Sequence, residues 1–235
     1  MLNAVAMIPT YNERDNIAAL IHDILELDPS FGVVVVDDDS PDGTSREVEA
    51  IGKNEPRVHL ITRKNKRGRG TAGIEGMLYA VELGANFIIE MDADYSHHPR
   101  YIPALVEAMR DCDVAIGSRA VAGGRETGRG PIRVGITQFA SLFIRVVMGL
   151  SIKDCTSGFR CFKREVLQAI GLENMVSVGP SIVEEILYAC HLKGFKMKEI
   201  PIVFEDRVKG DSTKTLGQFV DTMVQIVRFR ISMKR

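Results

Sequence analysis

The chain has 235 residues, 45% hydrophobic and 26% charged, with a net charge of −1. That length suits one large α/β domain better than two complete ones, and the balanced charge gives no case for nucleic-acid binding. Cys112, Cys155, Cys161 and Cys190 form no Cys-x-x-Cys pair, which argues against a zinc or dithiol motif and leaves reduced thiols in a cytosolic setting as the simplest reading.

No basic leader precedes Met1 to Ile8, so no signal peptide is expected. No stretch reaches the roughly 18 uncharged apolar residues of a spanning helix; the nearest, Ile136 to Leu150, is interrupted by Arg145. Ala4–Ile8 reads as a first buried strand. Ile17, Leu20, Ile21, Ile24 and Leu25 have helical spacing, which predicts a helix over Asn16–Leu27. Val33–Val36 is a second strand, β-branched throughout. Ser40-Pro41 reads as an N-cap followed by Pro at the first helical position, opening a helix to about Ile51. Val58–Ile61 is a short strand, Thr71–Leu83 a helix, and Phe87–Met91 a mostly apolar strand. A helix over Tyr101–Met109 and a strand over Val114–Ile116 follow. This alternation predicts a doubly wound, mostly parallel sheet with helices on both faces.

Beyond Gly117 the texture changes. Gly123–Pro131 is glycine-rich and reads as a mobile loop. A long amphipathic helix is expected over Arg133–Met148, a turn at Thr156–Arg160 before Cys161-Phe162, and helices over Arg164–Ile170 and Ser181–Leu192. Lys198–Phe204 reads as one edge strand and Leu216–Met233 as a final helix.

The chemistry gathers where strands end, the place ligands occupy in open α/β sheets. After Phe87–Met91 comes Asp92-Ala93-Asp94. Alternate residues of an extended chain point the same way, so the two carboxylates can converge on a hard divalent cation, magnesium or manganese, that also takes substrate phosphate oxygens. The competing reading is a polar turn, with Ser96 or Asp94 capping the helix near Pro99. After the second strand come Asp37, Asp38, Asp39 and Asp42, enough for both turn chemistry and hydrogen bonds to a ribose or base. The first strand ends in Pro9-Thr10-Tyr11-Asn12-Glu13, without the Gly-x-Gly-x-x-Gly of a dinucleotide site, and no P-loop occurs anywhere. Arg63 to Gly70 holds five bases in eight residues, a solvated loop or a flap over phosphates. His97-His98 lacks zinc-ligand spacing.

Pro-Thr-Tyr-Asn-Glu, Val-Asp-Asp-Asp-Ser-Pro-Asp-Gly-Thr, Met-Asp-Ala-Asp-Tyr-Ser-His-His-Pro, Gly117-Ser118-Arg119, Asp154–Arg160 and Pro201–Arg207 together resemble the inverting glycosyltransferases of family 2, with the GT-A fold. Within that family they resemble the polyprenol-phosphate (dolichol-phosphate) mannose synthases over nearly the whole chain. The resemblance implies one catalytic domain over 1–235, with a nucleotide-binding half to about 120 and an acceptor- and membrane-facing half beyond. It implies that Pro9, Tyr11, Glu13, Val36 and Asp38 hold the donor's base and ribose, and that Asp92, Ala93 and Asp94 line its diphosphate, the two aspartates through Mg2+ or Mn2+. Asp94, Arg119 and Arg207 become the catalytic candidates. Arg119, Arg133, Arg207, Ser212 and Lys214 become acceptor-phosphate residues, although Thr213 separates Ser212 from Lys214 where the family has Ser-Lys. The implied reaction moves mannose from GDP-mannose to a polyprenyl phosphate, by inversion and without a covalent glycosyl-enzyme. A UDP-sugar donor, or a sugar-hydroxyl acceptor served by Glu184 or Glu185 as base, is the alternative.

A polyprenyl phosphate stays in its membrane, so peripheral association with the cytoplasmic face is expected; a separate membrane-protein partner is compatible with this. The helices over Arg133–Met148 (Phe139, Leu142, Phe143, Val146, Val147) and Leu216–Met233 (Leu216, Phe219, Val220, Met223, Ile226, Val227) carry apolar stripes flanked by bases, as interfacial helices do. Such stripes usually pack on a core, and most of each stripe is expected to do so.

Overall fold

The structure, a computed structural model, describes residues 2–65, 68–128, 130–206 and 216–232, the last of these without side chains before 222. The elements run β1 (Ala4–Thr10), α1 (Arg14–Leu27), β2 (Phe31–Asp37), α2 (Thr44–Gly52), β3 (Val58–Thr62), α3 (Arg69–Glu82), β4 (Phe87–Glu90), α4 (Ile102–Ala108), β5 (Val114–Ser118), β6 (Arg125–Thr127), α5 (Pro131–Met148), β7 (Arg160–Lys163), α6 (Arg164–Ile170), α7 (Ile182–Leu192), β8 (Met197–Pro201), β9 (Val203–Glu205) and α8 (Leu216–Ser232). A seven-stranded sheet has the order β3-β2-β1-β4-β7-β5-β8. The order reverses between β1 and β4, which opens a crevice at their carboxyl ends.

Period-two alternation sends successive residues to opposite faces, and both faces are apolar because both are covered. Val5, Met7, Val34, Val36 and Ile88 face the core made with α3, α5, α6, α7 and α8. Ala4, Ala6, Ile8, Val33, Val35 and Ile89 face the core made with α1, α2 and α4. Close packing of α3 on the sheet depends on Gly76, where a Cβ would lie 2.6 Å from Met7 Cγ and 2.7 Å from Val36 Cγ2. All four cysteines are free and buried, and burial pushes the Cys155 and Cys190 thiols up to about 12, so they stay protonated and inert.

Four elements differ from expectation. β7 is a full strand inserted antiparallel between β4 and β5, where only a turn before Cys161-Phe162 is expected. The single edge strand divides: β8 pairs with β5 in the main sheet, while β9 pairs with β6. The glycine-rich segment therefore contains a paired strand. Ser40-Pro41 does not open α2; Asp37 draws Ser40 into a turn instead, and α2 starts after Gly43, whose φ is 98°. Finally, α5 is an 18-residue helix with a mean hydropathy of 1.3, long and apolar enough to cross a membrane by composition. Its inner face (Ala140, Ser141, Ile144, Met148) is nonetheless built into the protein's core.

Candidate active site

The ends of β1 and β2 lie in register, Pro9 against Val36 and Thr10 against Asp37. Hydrogen bonds tie the two following loops together. Asn12 N donates to Ser40 Oγ at 2.9 Å and Glu13 N to Thr44 Oγ1 at 3.0 Å. The four acids divide their work. Asp37 is fully buried and accepts from Thr10 Oγ1, Ser40 N, Ser40 Oγ and Ser45 Oγ, so it organises the turn. Asp42 accepts from Thr44 N, Thr44 Oγ1 and Arg14 N, joining the starts of α1 and α2. Asp38, assigned to the donor by resemblance, accepts from Arg63 Nε at 2.6 Å and Gly68 N at 2.9 Å. Tyr11 stands at the rim, 42% exposed, as suits a residue that would stack on a base.

The basic run is neither a solvated loop nor a flap at its two ends. Arg63 is buried, bridging Asp38, Thr71 Oγ1 and Gly68 O. Arg69 Nη2 meets Asp92 Oδ1 at 2.8 Å and its Nη1 meets Glu90 Oε1 at 3.0 Å. Burial works against the charged guanidinium, but Asp92 and Glu90 outweigh it and raise its pKa. Lys66 and Arg67 lie outside the described residues.

Asp92 and Asp94 follow β4 directly. Ala93 between them, at the bend that follows β4, is buried in the α1–α2–α4 core, while Asp92 and Asp94 on either side are both partly exposed. Asp94 Oδ1 accepts from Ser96 N at 3.1 Å and Ser96 Oγ at 2.6 Å. Asp94 thus closes a turn with Ser96, while the helix start at Pro99 is capped by His98 and not by Ser96 or Asp94. An all-oxygen donor pair suits a hard divalent cation, and Gly158 lies beside it, where a Cβ would sit 3.9 Å from Asp92 Oδ2 and 2.6 Å from Arg69 Nη2. These residues fit such an ion. A second group with ligand spacing, His22, Asp23 and Glu26 on α1, is explained by a surface His22–Glu26 contact and by Tyr95 Oη donating to Asp23 at 2.8 Å.

His97 connects the two halves of the site. It is buried, stacks on Phe159 with ring centroids 5.2 Å apart, and meets Phe204 edge-on at 5.5 Å. Burial lowers its pKa, reinforced by Arg119 and Arg69 and opposed by Asp92 and Asp94. The ring is therefore neutral at pH 7, with Nδ1 positioned to accept from Asp92 N at 3.5 Å. His98 serves local structure, accepting from Arg100 N at 3.2 Å at the start of the helix.

Arg119 follows β5. Its guanidinium donates to Thr156 Oγ1 at 2.9 Å, pairs with Asp154 at 3.2 Å and Glu126 at 3.4 Å, and lies 4.6 Å from the Phe204 ring centroid. Arg133, in the first turn of α5, pairs with Asp206 at 2.9 Å. Arg207, Ser212 and Lys214 lie outside the described residues. Sequence reasoning missed Arg69, Glu90, Glu126 and Phe204. The signal for Arg69 and Glu90 was present, since a carboxylate inside an apolar strand needs a cation. Nothing local marks Phe204.

Glu185 accepts from Val176 N and Ser177 N, both at 2.9 Å. It thus shapes the 176–179 segment that covers the start of α3, where Gly70 N donates to Val178 O at 2.9 Å. The apolar stripes differ in fate. On α8, Ile226 and Phe229 are buried and Val227 is exposed. On α5 the expectation of core packing fails: Ile132 (78% exposed), Val146 (74%), Phe139 (59%), Leu142 and Ile136 face outward, while Phe143 and Val147 are only half-buried.

Residues 5–171 match the family described as glycosyl transferase family 2. An undecaprenyl-phosphate mannosyltransferase of Micrococcus luteus is 34% identical over 233 residues, covering 99% of this chain and 96% of that one. A polyprenol monophosphomannose synthase of Mycolicibacterium smegmatis is 33% identical, over 97% of this chain and 86% of that one. Among solved structures, glucosyl-3-phosphoglycerate synthase of Mycobacterium tuberculosis with Mn2+, UDP and glucosyl-3-phosphoglycerate superposes with a TM-score of 0.70 at 17% identity, over 98% of this chain and 79% of that one. The fold is thus that of the GT-A glycosyltransferases, and the chain belongs to glycosyl transferase family 2.

Proposed function

We propose that this protein transfers mannose from GDP-mannose to a polyprenyl phosphate at a membrane surface. The observation that carries the acceptor assignment is the setting of Arg133. It opens a helix whose outer face is bare aliphatic and aromatic surface. A lipid phosphate presents an anion at the edge of hydrocarbon, which is the chemistry that a basic helix end beside an apolar ridge recognises. A sugar-hydroxyl acceptor needs a positioned base. Glu185 is committed to two backbone amides and Glu184 is buried, which disfavours that alternative.

In this reading the half to about residue 120 binds the donor, and the half beyond it binds acceptor and membrane. Tyr11, Glu13, Pro9, Val36 and Asp38 frame the base and ribose, with Arg63 fixing the orientation of Asp38. Asp92 and Asp94 hold a divalent cation, Mg2+ or Mn2+, beside Ala93; when bound, such an ion neutralises charge on the departing diphosphate. The acceptor phosphate monoester is already anionic near neutral pH and needs no strong base. What it needs is positive charge that brings two anions together, the task of Arg119, Arg133 and Arg207, with Ser212 and Lys214 as further donors. Attack from the face opposite the diphosphate inverts the anomeric centre in one displacement. The five outward residues of α5 would each contribute roughly 1.5–3 kcal/mol on entering lipid, which supports peripheral membrane binding, in this proposal at the cytoplasmic face and with or without a membrane-protein partner.

A transfer assay with labelled GDP-mannose, UDP-glucose and UDP-N-acetylglucosamine and a short polyprenyl phosphate tests this. Lipid-linked label from GDP-mannose alone is expected. Label from a UDP-sugar would overturn the donor, and label appearing only on a free sugar would overturn the acceptor.

A further inference from the structure

The end of β4 carries a cation that the reaction just proposed leaves unused. Glu90, the last residue of β4, is fully buried. A carboxylate there is strongly unfavourable unless paired. Its Oε1 accepts from Arg69 Nη1 at 3.0 Å. The other edge of the same guanidinium, Nε and Nη2, grips Asp92 Oδ1 at 3.2 and 2.8 Å. One planar fork thus spans residues two apart on one strand end, a geometry an ammonium group lacks.

Arg69 is held from both ends. Its backbone opens α3 after Gly68, whose φ is 140°, and the next amide, Gly70 N, is anchored on Val178 O at 2.9 Å. At the other end the guanidinium fits against Gly158, where a Cβ would lie 2.6 Å from Nη2. Side chain and cradle are shaped for each other, and the pairing is not an incidental surface contact.

The consequence is electrostatic. A divalent cation approaching without a nucleotide meets an aspartate already paired with a fixed positive charge, which repels it. A diphosphate supplies the negative charge that offsets this repulsion. We propose that Arg69, anchored by Glu90, is a resident counter-ion of the site that suppresses cation binding to the bare protein, so that the metal is taken up together with the nucleotide diphosphate. This rests on the reading of Asp92 and Asp94 as the metal ligands.

The test is titration with MnCl2 alone and with GDP present, following free Mn2+ by electron paramagnetic resonance. Four proteins are compared: the unaltered chain, the double variant Arg69→Leu/Glu90→Leu, Gly158→Ala, and Asp94→Asn. The double variant removes Arg69 together with its buried partner Glu90 but leaves Arg160 opposite without that carboxylate, so its fold is checked first by circular dichroism. Gly158→Ala keeps every charge and displaces the guanidinium, and it decides the matter should the double variant not fold. The unaltered chain is expected to bind Mn2+ far more tightly with GDP than without. Mn2+ affinity without GDP is expected to rise severalfold in the double variant, where the guanidinium that grips Asp92 directly is lost while the more remote Glu90 charge goes with it, and by a smaller factor in Gly158→Ala. Unchanged or weaker affinity for Mn2+ alone in the folded variants would overturn the proposal and leave the metal-site reading standing. Undiminished Mn2+ binding with GDP in Asp94→Asn would overturn that reading and this inference with it.

Discussion

Glu90 on β4 and Arg160 on β7 stand directly opposite each other in the antiparallel register, and both are fully buried. Arg160 also donates to the carbonyl of Cys155 at 3.0 Å and to that of Val183. It therefore fastens the 155–160 segment, with Gly158 in it, and α7 beneath the crevice. Burial lowers its pKa, and Glu90 and Glu184 oppose the shift, so the charge survives because carboxylates surround it. Arg160→Met removes a fully buried charge that Glu90 and Glu184 face and strips the carbonyls of Cys155 and Val183 of their donor, while Glu90 keeps Arg69. A loss of roughly 3–5 kcal/mol in unfolding free energy is expected, measured by urea denaturation.

Arg119 is held by a second such cluster. Its contacts with Asp154, Glu126, Thr156 and Phe204 fix a planar fork that lysine does not reproduce. Arg119→Lys is expected to lower kcat by about 10–100-fold, the equivalent of one charge-assisted hydrogen bond, with little change in donor KM. Steady-state kinetics at saturating acceptor check this.

The outer face of α5 predicts a separation of membrane binding from stability. Ile136→Ser/Phe139→Ser changes only exposed side chains, so the melting temperature should stay within about a degree or two, as for surface substitutions in general. Partition onto anionic vesicles should fall by at least about 100-fold, since each residue contributes roughly 1.5–3 kcal/mol in lipid. Vesicle sedimentation and a thermal melt on the same sample measure the two quantities.

Acid titration offers a control far from the crevice. Side-chain and backbone hydrogen bonds from Arg57 hold the Glu55 carboxyl at about 2, below its usual 4.5. A folded value below the unfolded one stabilises the protein above about pH 4.5, and that contribution is lost as pH falls toward 2. Glu55→Gln should flatten the stability–pH curve in that window, lower stability by a constant amount near pH 7, where the contribution is fully present, and converge with the parent protein as pH approaches 2.

Much of this was legible from the chain. The strands β1 to β5 and helices α1, α3 and α4 follow from period and length, because parallel strands covered on both faces are continuously apolar. What periodicity does not record is which face is covered and by what. Arg160 opens β7 with a charge, so a buried strand reads as a turn. The α5 stripe has the period of a core helix, yet its outer flank is bare. Arg63 and Arg69 belong to a run with the composition of a solvated loop, while their partners Asp38, Glu90 and Asp92 lie about 20 to 25 residues away and meet them only once the sheet has formed. The acids after β2 were legible as a group, and the resemblance singled out Asp38 among them; that Asp37 and Asp42 are the turn formers was not legible.

The most direct test of the account is the anomeric configuration of the lipid product formed from α-linked GDP-mannose. The purified protein, Mn2+ and a short polyprenyl phosphate would be incubated with 13C-labelled donor and the product read by NMR. A β-linked mannosyl phosphodiester, abolished by Asp94→Ala, is the predicted result. An α-linked product would contradict the single displacement, and no mannosylated lipid from folded, GDP-binding protein would contradict the assigned function.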